Sequence, residues 1–117
     1  MRTIEFYRTS NGICPVEDFL DRLTGKQAQK TLWVLRLIEE LDIVPRQYFK
    51  KLIGTEDIWE VRVHYGNDIF RLLGFFEHGT LLILTNGFTK KTPKTPAQEI
   101  ALATRRKREY LSRKEKS

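Results

Sequence analysis

The 117-residue sequence contains a single cysteine, Cys14, and so cannot form an intramolecular disulfide. No cluster of cysteine and histidine has the spacing of a zinc site. The first residues lack a secretory signal, and no apolar run approaches the length that spans a membrane. We therefore expect a soluble protein of the reducing cytoplasm, without disulfide, structural metal or membrane segment.

The motifs of several common enzyme classes are also missing. The sequence has no glycine-rich phosphate loop and no Gly-x-Ser-x-Gly elbow, and Cys14 precedes a predicted helix without an assigned base. His64 and His78 have no carboxylate or cysteine neighbours at metal-ligand spacing. Nucleotide hydrolysis, acyl transfer and metal catalysis are therefore not expected, and we predict no cofactor.

Positive charge is concentrated near the C-terminus. The net charge is +6, yet residues 1–89 contain 11 Lys and Arg against 12 Asp and Glu, whereas residues 90–117 contain 10 against 3. This asymmetry favours a polyanion or an acidic protein as partner. A charged C-terminal segment that only aids solubility is an equally good reading of the tail alone.

Changes in hydrophobic period divide the chain into eight predicted elements. We expect a strand over residues 2–7, a helix from Pro15 to about Gly25, a second helix over 26–43, strands at 48–53, 58–64, 69–76 and 81–88, and a helix announced by Thr95-Pro-Ala-Gln98. The order predicts a single α+β domain over residues 1–117, with helices packed on one face of an antiparallel sheet and a basic helix or tail from about residue 96.

The register of the predicted hairpins places two arginines side by side. In Trp59–His64, alternation puts Trp59 on the core face and Arg62 on the opposite one. A turn at Gly66-Asn67 then sets Arg62 directly opposite Arg71. Like charges in this position repel, so the pair must splay apart, find carboxylates such as Glu60 or Asp68, or receive an anion.

Two further turns extend the same row of side chains. A turn at His78-Gly79 would pair Asn86 with Arg71 and Phe88 with Ile69, with Lys90 on the same face. A turn at Thr55-Glu56 would pair Lys51 with Glu60 and direct Lys50 to the opposite face, unless the strand is irregular there. Arginines flanked by lysines and an aromatic ring are suited to a phosphate backbone with a stackable base.

Five segments resemble the RelE/HigB superfamily of toxins, in its phage-derived HigB-like branch. They are Leu52-Ile-Gly, Ile58-Trp-Glu-Val-Arg, Asp68-Ile-Phe-Arg-Leu-Leu, Asn86-Gly-Phe-Thr-Lys-Lys-Thr-Pro-Lys-Thr-Pro and Glu99-Ile-Ala-Leu-Ala. The resemblance implies a RelE-like sheet with helices packed against it, and the toxin of a type II toxin-antitoxin pair. It implies a ribosome-dependent, metal-independent endoribonuclease that cleaves mRNA in the ribosomal A site by attack of the 2′-hydroxyl. The implied partners are a cognate antitoxin of helix-turn-helix type, the ribosome and mRNA, with operator DNA contacted only through the antitoxin.

The resemblance also suggests roles for individual residues. Arg62 and Arg71 match positions that stabilise the phosphate, and Lys90 and Lys91 match a lysine pair that binds the backbone or transfers a proton. Further candidates for RNA binding, from the register and from the basic tail, are Lys50, Lys51, His64, Asn86, Phe88, Arg105 and Arg106.

One departure from the superfamily leaves the chemistry open. Several members carry a tyrosine or histidine near the last strand, where this chain has Phe88 and Thr89. Phenylalanine can stack on a base but cannot transfer a proton, so the general acid and base are unassigned, with His64 or Tyr65 as possible substitutes. The alternatives are a catalytically inactive toxin-fold protein that regulates by binding RNA, ribosomes or protein, and an interaction domain whose basic helix meets an acidic partner.

Overall fold

The computed structural model describes residues 1–116 and contains five strands and three helices in the predicted order. They are β1 (Thr3–Phe6), α1 (Pro15–Asp21), α2 (Gly25–Glu40), β2 (Phe49–Lys51), β3 (Trp59–Tyr65), β4 (Asp68–His78), β5 (Leu81–Thr89) and α3 (Ala97–Lys116). The α+β class is therefore confirmed. Gly25 begins α2 and does not end α1, because Thr24 and Gln27 form a capping box at that point.

The strands form one sheet in the order β1-β5-β4-β3-β2. Strands β2 to β5 are antiparallel neighbours, which confirms the predicted meander. Strand β1 instead pairs in parallel with β5, so the complete sheet is mixed. The long excursion through both helices and the meander returns the chain to the side of its first strand, as a parallel pair requires.

Helices cover both faces of the sheet, and the prediction that they share one face was wrong. Helices α1 and α2 pack on the face that carries Phe70 and Leu72, whereas α3 packs on the face that carries Leu73 and Phe75. Strand β4 is thus apolar on both sides, and its sequence reads as a nearly continuous apolar run. Its one buried charge, Arg71, lies on the side of α3.

The turn between β4 and β5 consists of Gly79 and Thr80, because His78 pairs with Leu81. The expected His78-Gly79 turn was therefore wrong, and the register differs from the expected one by two residues. The pairing also shifts between Phe76 and His78, and again between Leu73 and Gly74, so that each strand bulges once. The two bulges cancel, so the shift beyond them derives from the turn alone.

Helix α3 is long enough to be compared with a membrane-spanning helix, but it is highly charged. It is the longest helix at 20 residues, but its sequence includes Arg105-Arg-Lys-Arg108. Within residues 1–116, no helix has both the length and the apolar character needed to cross a bilayer.

Gly74 allows the close approach of β5 at the second bulge. A Cβ atom at this position would overlap the carbonyl oxygen of Ile83 and lie 2.9 Å from Cδ2 of Leu84. We expect Gly74→Ala to lower the free energy of unfolding by about 1–3 kcal/mol, because backbone must move to admit the methyl group. Gly25→Ala is the control, since a Cβ there meets nothing within 4 Å. Urea unfolding measures both, and equal stability of the two variants would contradict the prediction.

Candidate functional site

Five basic side chains belong to a single patch on the α3 side of the sheet, beyond the part that α3 covers. We call this patch the cationic face and define it as Lys50, Arg62, His64, Arg71 and Lys90. Arg62 lies directly opposite Arg71, which confirms the predicted pairing of β3 with β4. His64 lies opposite Ile69, and the backbone N–H of Lys90 donates to the carbonyl of Ile69 over 2.7 Å. Backbone pairing thus fixes four of the five positions relative to one another.

Glu60 supplies the negative charge that allows the two arginines to face each other. Its side chain is fully buried, and Oε1 lies 2.9 Å from Nε of Arg62 and 3.4 Å from Nε of Arg71. The other carboxylate oxygen, Oε2, accepts a hydrogen bond from the hydroxyl of Thr95. The arginines have therefore found one of the two carboxylates that the sequence offered them. The other, Asp68, accepts a hydrogen bond from the Gln27 amide instead.

The Nη ends of the two guanidinium groups retain donors without a hydrogen-bond partner among the described residues. Among the described residues, neither Nη atom of Arg62 has a hydrogen-bond partner. In Arg71, Nη1 makes one long contact of 3.4 Å with the carbonyl of Phe70. Guanidinium ends of this kind are donors for oxyanions, and two of them side by side can hold one phosphate.

Partial burial, together with the crowding of positive charge, lowers the pKa of two side chains on the cationic face. Partial burial, and then the charges of Arg71 and Arg62, lower the pKa of His64 from its ordinary value of 6.5. Burial and Arg71 also lower the pKa of Lys90, although Glu60 opposes this shift. His64 is therefore neutral at pH 7, and its imidazole is able to accept a proton.

The expected pairing of Asn86 with Arg71 was wrong, because the turn at Gly79 and Thr80 moves β5 by two residues. Phe88 lies opposite Arg71, and Asn86 lies opposite Leu73. A two-residue shift preserves the face of each side chain, so Phe88 stays beside the arginines. It is partly buried against Ile58 and Leu73, under the start of α3.

Asn86 is buried and serves to attach α3 to the sheet. Its side-chain amide donates to Oε1 of Glu99 over 3.0 Å, and its carbonyl accepts from the hydroxyl of Thr85 over 2.6 Å. Only 3% of the residue is exposed. The structure therefore places Asn86 in the interior and not at a surface that could receive RNA.

Lys50 and Lys51 exchange the places that the sequence suggested. Lys50 pairs with Glu60, and Lys51 pairs with Trp59. The segment between β2 and β3 is longer than a two-residue turn, because the backbone N–H of Leu52 donates to the carbonyl of Ile58. The register between the two strands therefore differs from the expected one by one residue. A shift of one residue reverses the face of each side chain, so Lys50 joins the cationic face. Lys51 is exposed and pairs with Asp57 at 2.7 Å.

The basic residues of the C-terminal region lie mostly on α3, and several of them bind the protein itself. Arg106 donates to the carbonyl of Thr85 over 2.9 Å, and Arg108 pairs with Glu56 at 2.6 Å. Arg105 is exposed on α3, and Lys91 is exposed just after β5. None of the contacts described for Arg105, Arg106 or Lys91 joins it to the cationic face.

A wide groove adjoins the cationic face at Lys50. It has a volume of about 810 Å³, and its lining includes Phe49, Trp59 and Phe76, which face the side of α1 and α2. Lys50 also lines this groove, whereas Arg62, His64, Arg71 and Lys90 do not. Within residues 1–116, no three side chains of His, Cys, Asp or Glu come together in an arrangement that could hold a metal ion. On the cationic face, His64 is exposed, Lys50, Arg62 and Lys90 are partly exposed, and Arg71 is buried, so an anion from solvent meets chiefly the first four.

Fold and site together define a small α+β protein with a positively charged sheet face. Residues 18–108 match the family described as phage-derived protein Gp49-like (DUF891), and the chain belongs to this family. The matched segment contains the whole cationic face together with Glu60 and Thr95. No curated protein matches the chain.

The buried position of Asn86 predicts that its replacement changes stability and not ligand binding. Asn86→Ala removes the hydrogen bonds that join β5 to α3, so we expect a loss of about 1–3 kcal/mol in the free energy of unfolding. Gln29→Ala, at an exposed position of α2, should leave stability unchanged. Urea unfolding and co-sedimentation with ribosomes test this pair. A stable Asn86→Ala protein that no longer sediments with ribosomes would restore Asn86 to the binding surface.

Proposed function

We propose that this Gp49-like protein is the toxin of a type II toxin-antitoxin pair, in the RelE/HigB superfamily. It acts in the cytoplasm as a ribosome-dependent endoribonuclease that cleaves mRNA in the ribosomal A site, and a cognate antitoxin of helix-turn-helix type neutralises it. The observation that carries the proposal is the pairing of the partly exposed Arg62 with the buried Arg71, beside Lys90 and His64 on the cationic face. Family membership and the sequence resemblance support the same activity.

The proposed reaction is an internal transesterification of RNA. The ribose 2′-oxygen attacks the adjacent phosphorus, the bond from phosphorus to the 5′-oxygen breaks, and the products are a 2′,3′-cyclic phosphate and a 5′-hydroxyl. Charge accumulates on the non-bridging oxygens of the pentacoordinate transition state. The Nη groups of Arg62 and Nη2 of Arg71, which have no hydrogen-bond partner among the described residues, stabilise that charge, because they are aligned before the substrate arrives.

Proton transfer in this reaction requires a base and an acid. His64, with its lowered pKa, is neutral at pH 7 and accepts the proton of the 2′-hydroxyl. Lys90, whose pKa is also lowered, donates a proton toward the leaving 5′-oxygen. Phe88, beside Arg71, stacks on a neighbouring base, and Lys50 and Lys91 bind the RNA backbone.

The paired arginines give the first test of this function. We expect Arg62→Ala to lower message cleavage on ribosomes by about 10²–10³-fold, because one of two donors to the transition state is lost. Arg62 is partly exposed, so the variant should fold. Arg36→Ala, at an exposed site on α2, is the matched control and should keep full activity. Cleavage of a translated message and growth after induction are the measurements, and continued translation in the presence of the wild-type protein would refute the function.

The pH profile tests the role of His64. Since burial and the charges of Arg71 and Arg62 lower the pKa of His64, kcat/KM of the wild type should fall on the acid side at a lower pH than an ordinary histidine would give. In His64→Gln this acid limb should disappear, and the rate at pH 7 should drop by about 10²-fold, because the base is gone. Single-turnover cleavage on ribosomes between pH 5 and 8 gives both profiles. An unchanged acid limb in the variant would assign the base elsewhere.

A catalytically inactive binding protein is the second candidate. Phe88 and Thr89 stand where several superfamily members carry a residue capable of proton transfer, and this observation favours it. The cationic face would then hold RNA or the ribosome without cleaving the message. Ribosome sedimentation with the wild-type protein, followed by primer extension on the bound message, separates the two. Binding without cleavage would select the second candidate.

A further inference from the structure

Glu60 is a buried acid at the centre of a basic surface, and neither binding of phosphate nor proton transfer uses it. Both of its oxygens are occupied, one by the two arginines and the other by Thr95. The buried Nε of Arg71 makes no hydrogen bond, and its only charge contact is the 3.4 Å ion pair with Glu60. The carboxylate is therefore the sole neutralising partner of that nitrogen among the described residues.

We propose that Glu60 is a positioning residue, which orients Arg62 and Arg71 through their Nε atoms and ties the loop after Lys90 to strand β3 through Thr95. This inference rests on the proposed function and deepens it, because it names the groups that align the phosphate donors. Glu60 touches no substrate and acts only through the residues it holds.

The geometry of the arginine contacts supports this role. Glu60 engages both side chains at Nε, and so it leaves both Nη atoms of Arg62 and Nη2 of Arg71 without a hydrogen-bond partner among the described residues. A carboxylate at the Nη ends would compete with the phosphate. Because Glu60 is fully buried, accepts hydrogen bonds from Arg62 and Thr95 and forms an ion pair with Arg71, it neutralises the arginines without presenting a negative charge at the surface.

The contact with Thr95 links the arginines to the lysines. The chain leaves β5 at Thr89, passes through Lys90 and Lys91, and reaches Thr95 before α3 begins. Within this loop, the hydroxyl of Thr92 donates to the carbonyl of Lys94 over 2.9 Å. Lys90 is fixed at its own amide and the loop is fixed again at Thr95, so the segment between them is held at both ends. Loss of the second attachment frees the segment to move relative to the arginines.

Thr95 offers a test that leaves the arginines and the carboxylate in place. Thr95→Val keeps the shape and removes the hydroxyl, whereas Thr95→Ser keeps the hydroxyl. We expect Thr95→Val to lower kcat of cleavage about tenfold with KM within about twofold, because misplacement of donors weakens the transition state more than ground-state binding. Thr95→Ser should retain wild-type kcat. Equal kcat for Val and Ser variants would overturn the inference.

Glu60→Gln completes a double-mutant cycle. The neutral amide no longer balances the arginines, so kcat should fall by at least about tenfold, while affinity for ribosome-bound message stays equal or rises. Adding Thr95→Val to Glu60→Gln should then have no further effect on kcat, since both act through one contact. Additive losses in the double variant, or parallel losses of kcat and binding in Glu60→Gln, would contradict a positioning role.

A readout independent of cleavage separates failure of this inference from failure of the function. The ¹H–¹⁵N signals of the Arg62 and Arg71 Nε–H groups should shift in Glu60→Gln and in Thr95→Val, but not in Thr95→Ser. If the wild-type protein cleaves no message, the function is wrong, and these signals still decide whether Glu60 positions the arginines. If the wild type is active and the signals are unchanged in all variants, the positioning role is wrong and the function stands.

Discussion

The cationic face depends on one buried carboxylate, that of Glu60. Packing of Val61 and Val63 against Phe70 on the other side of the sheet fixes the register of β3 and β4, and this register sets Arg62 opposite Arg71. Two like charges in such a pair are destabilising on their own. The packing of the core and the electrostatics of the surface are therefore in conflict, and a negative charge between the Nε atoms resolves it. Removal of either partner of a buried ion pair leaves an uncompensated charge, so this arrangement must be kept as a unit.

The order of the strands and helices could be predicted from the sequence, because the hydrophobic period and the turn residues agree along most of the chain. Gly66 has a positive φ in a tight turn, and this fixed the β3–β4 register correctly. The parallel pairing of β1 with β5 could not be predicted, because a strand of four residues carries no local signal for the strand that it joins. The position of α3 was missed for a different reason. Strand β4 is apolar on both faces, and a nearly continuous apolar run of this kind indicates a strand that is covered on both sides.

The errors at the candidate site have distinct physical causes. The sequence predicts a turn at His78 and Gly79, but β4 continues through His78 and the turn consists of Gly79 and Thr80. The resulting two-residue shift in register leaves each side chain on its predicted face. Phe88 therefore lies beside the arginines, as predicted. The one-residue slip at Lys50 and Lys51 exchanged their faces, because strand periodicity is two. The contact of Thr95 with Glu60 joins residues 35 positions apart and has no local signal.

Net charge overstates the part that the C-terminal region plays in the candidate site. Much of the excess there lies on α3, where Arg108 pairs with Glu56 and Arg113 pairs with Glu109, both at 2.6 Å. These exposed pairs are screened by solvent and contribute little energy, yet they direct the side chains toward the protein's own carboxylates. The cationic face carries fewer charges, but Glu60, the acid that contacts its arginines, is buried and already paired. The field that an approaching phosphate meets is therefore set by a few strand residues held in register, and not by the larger number of cations on the helix.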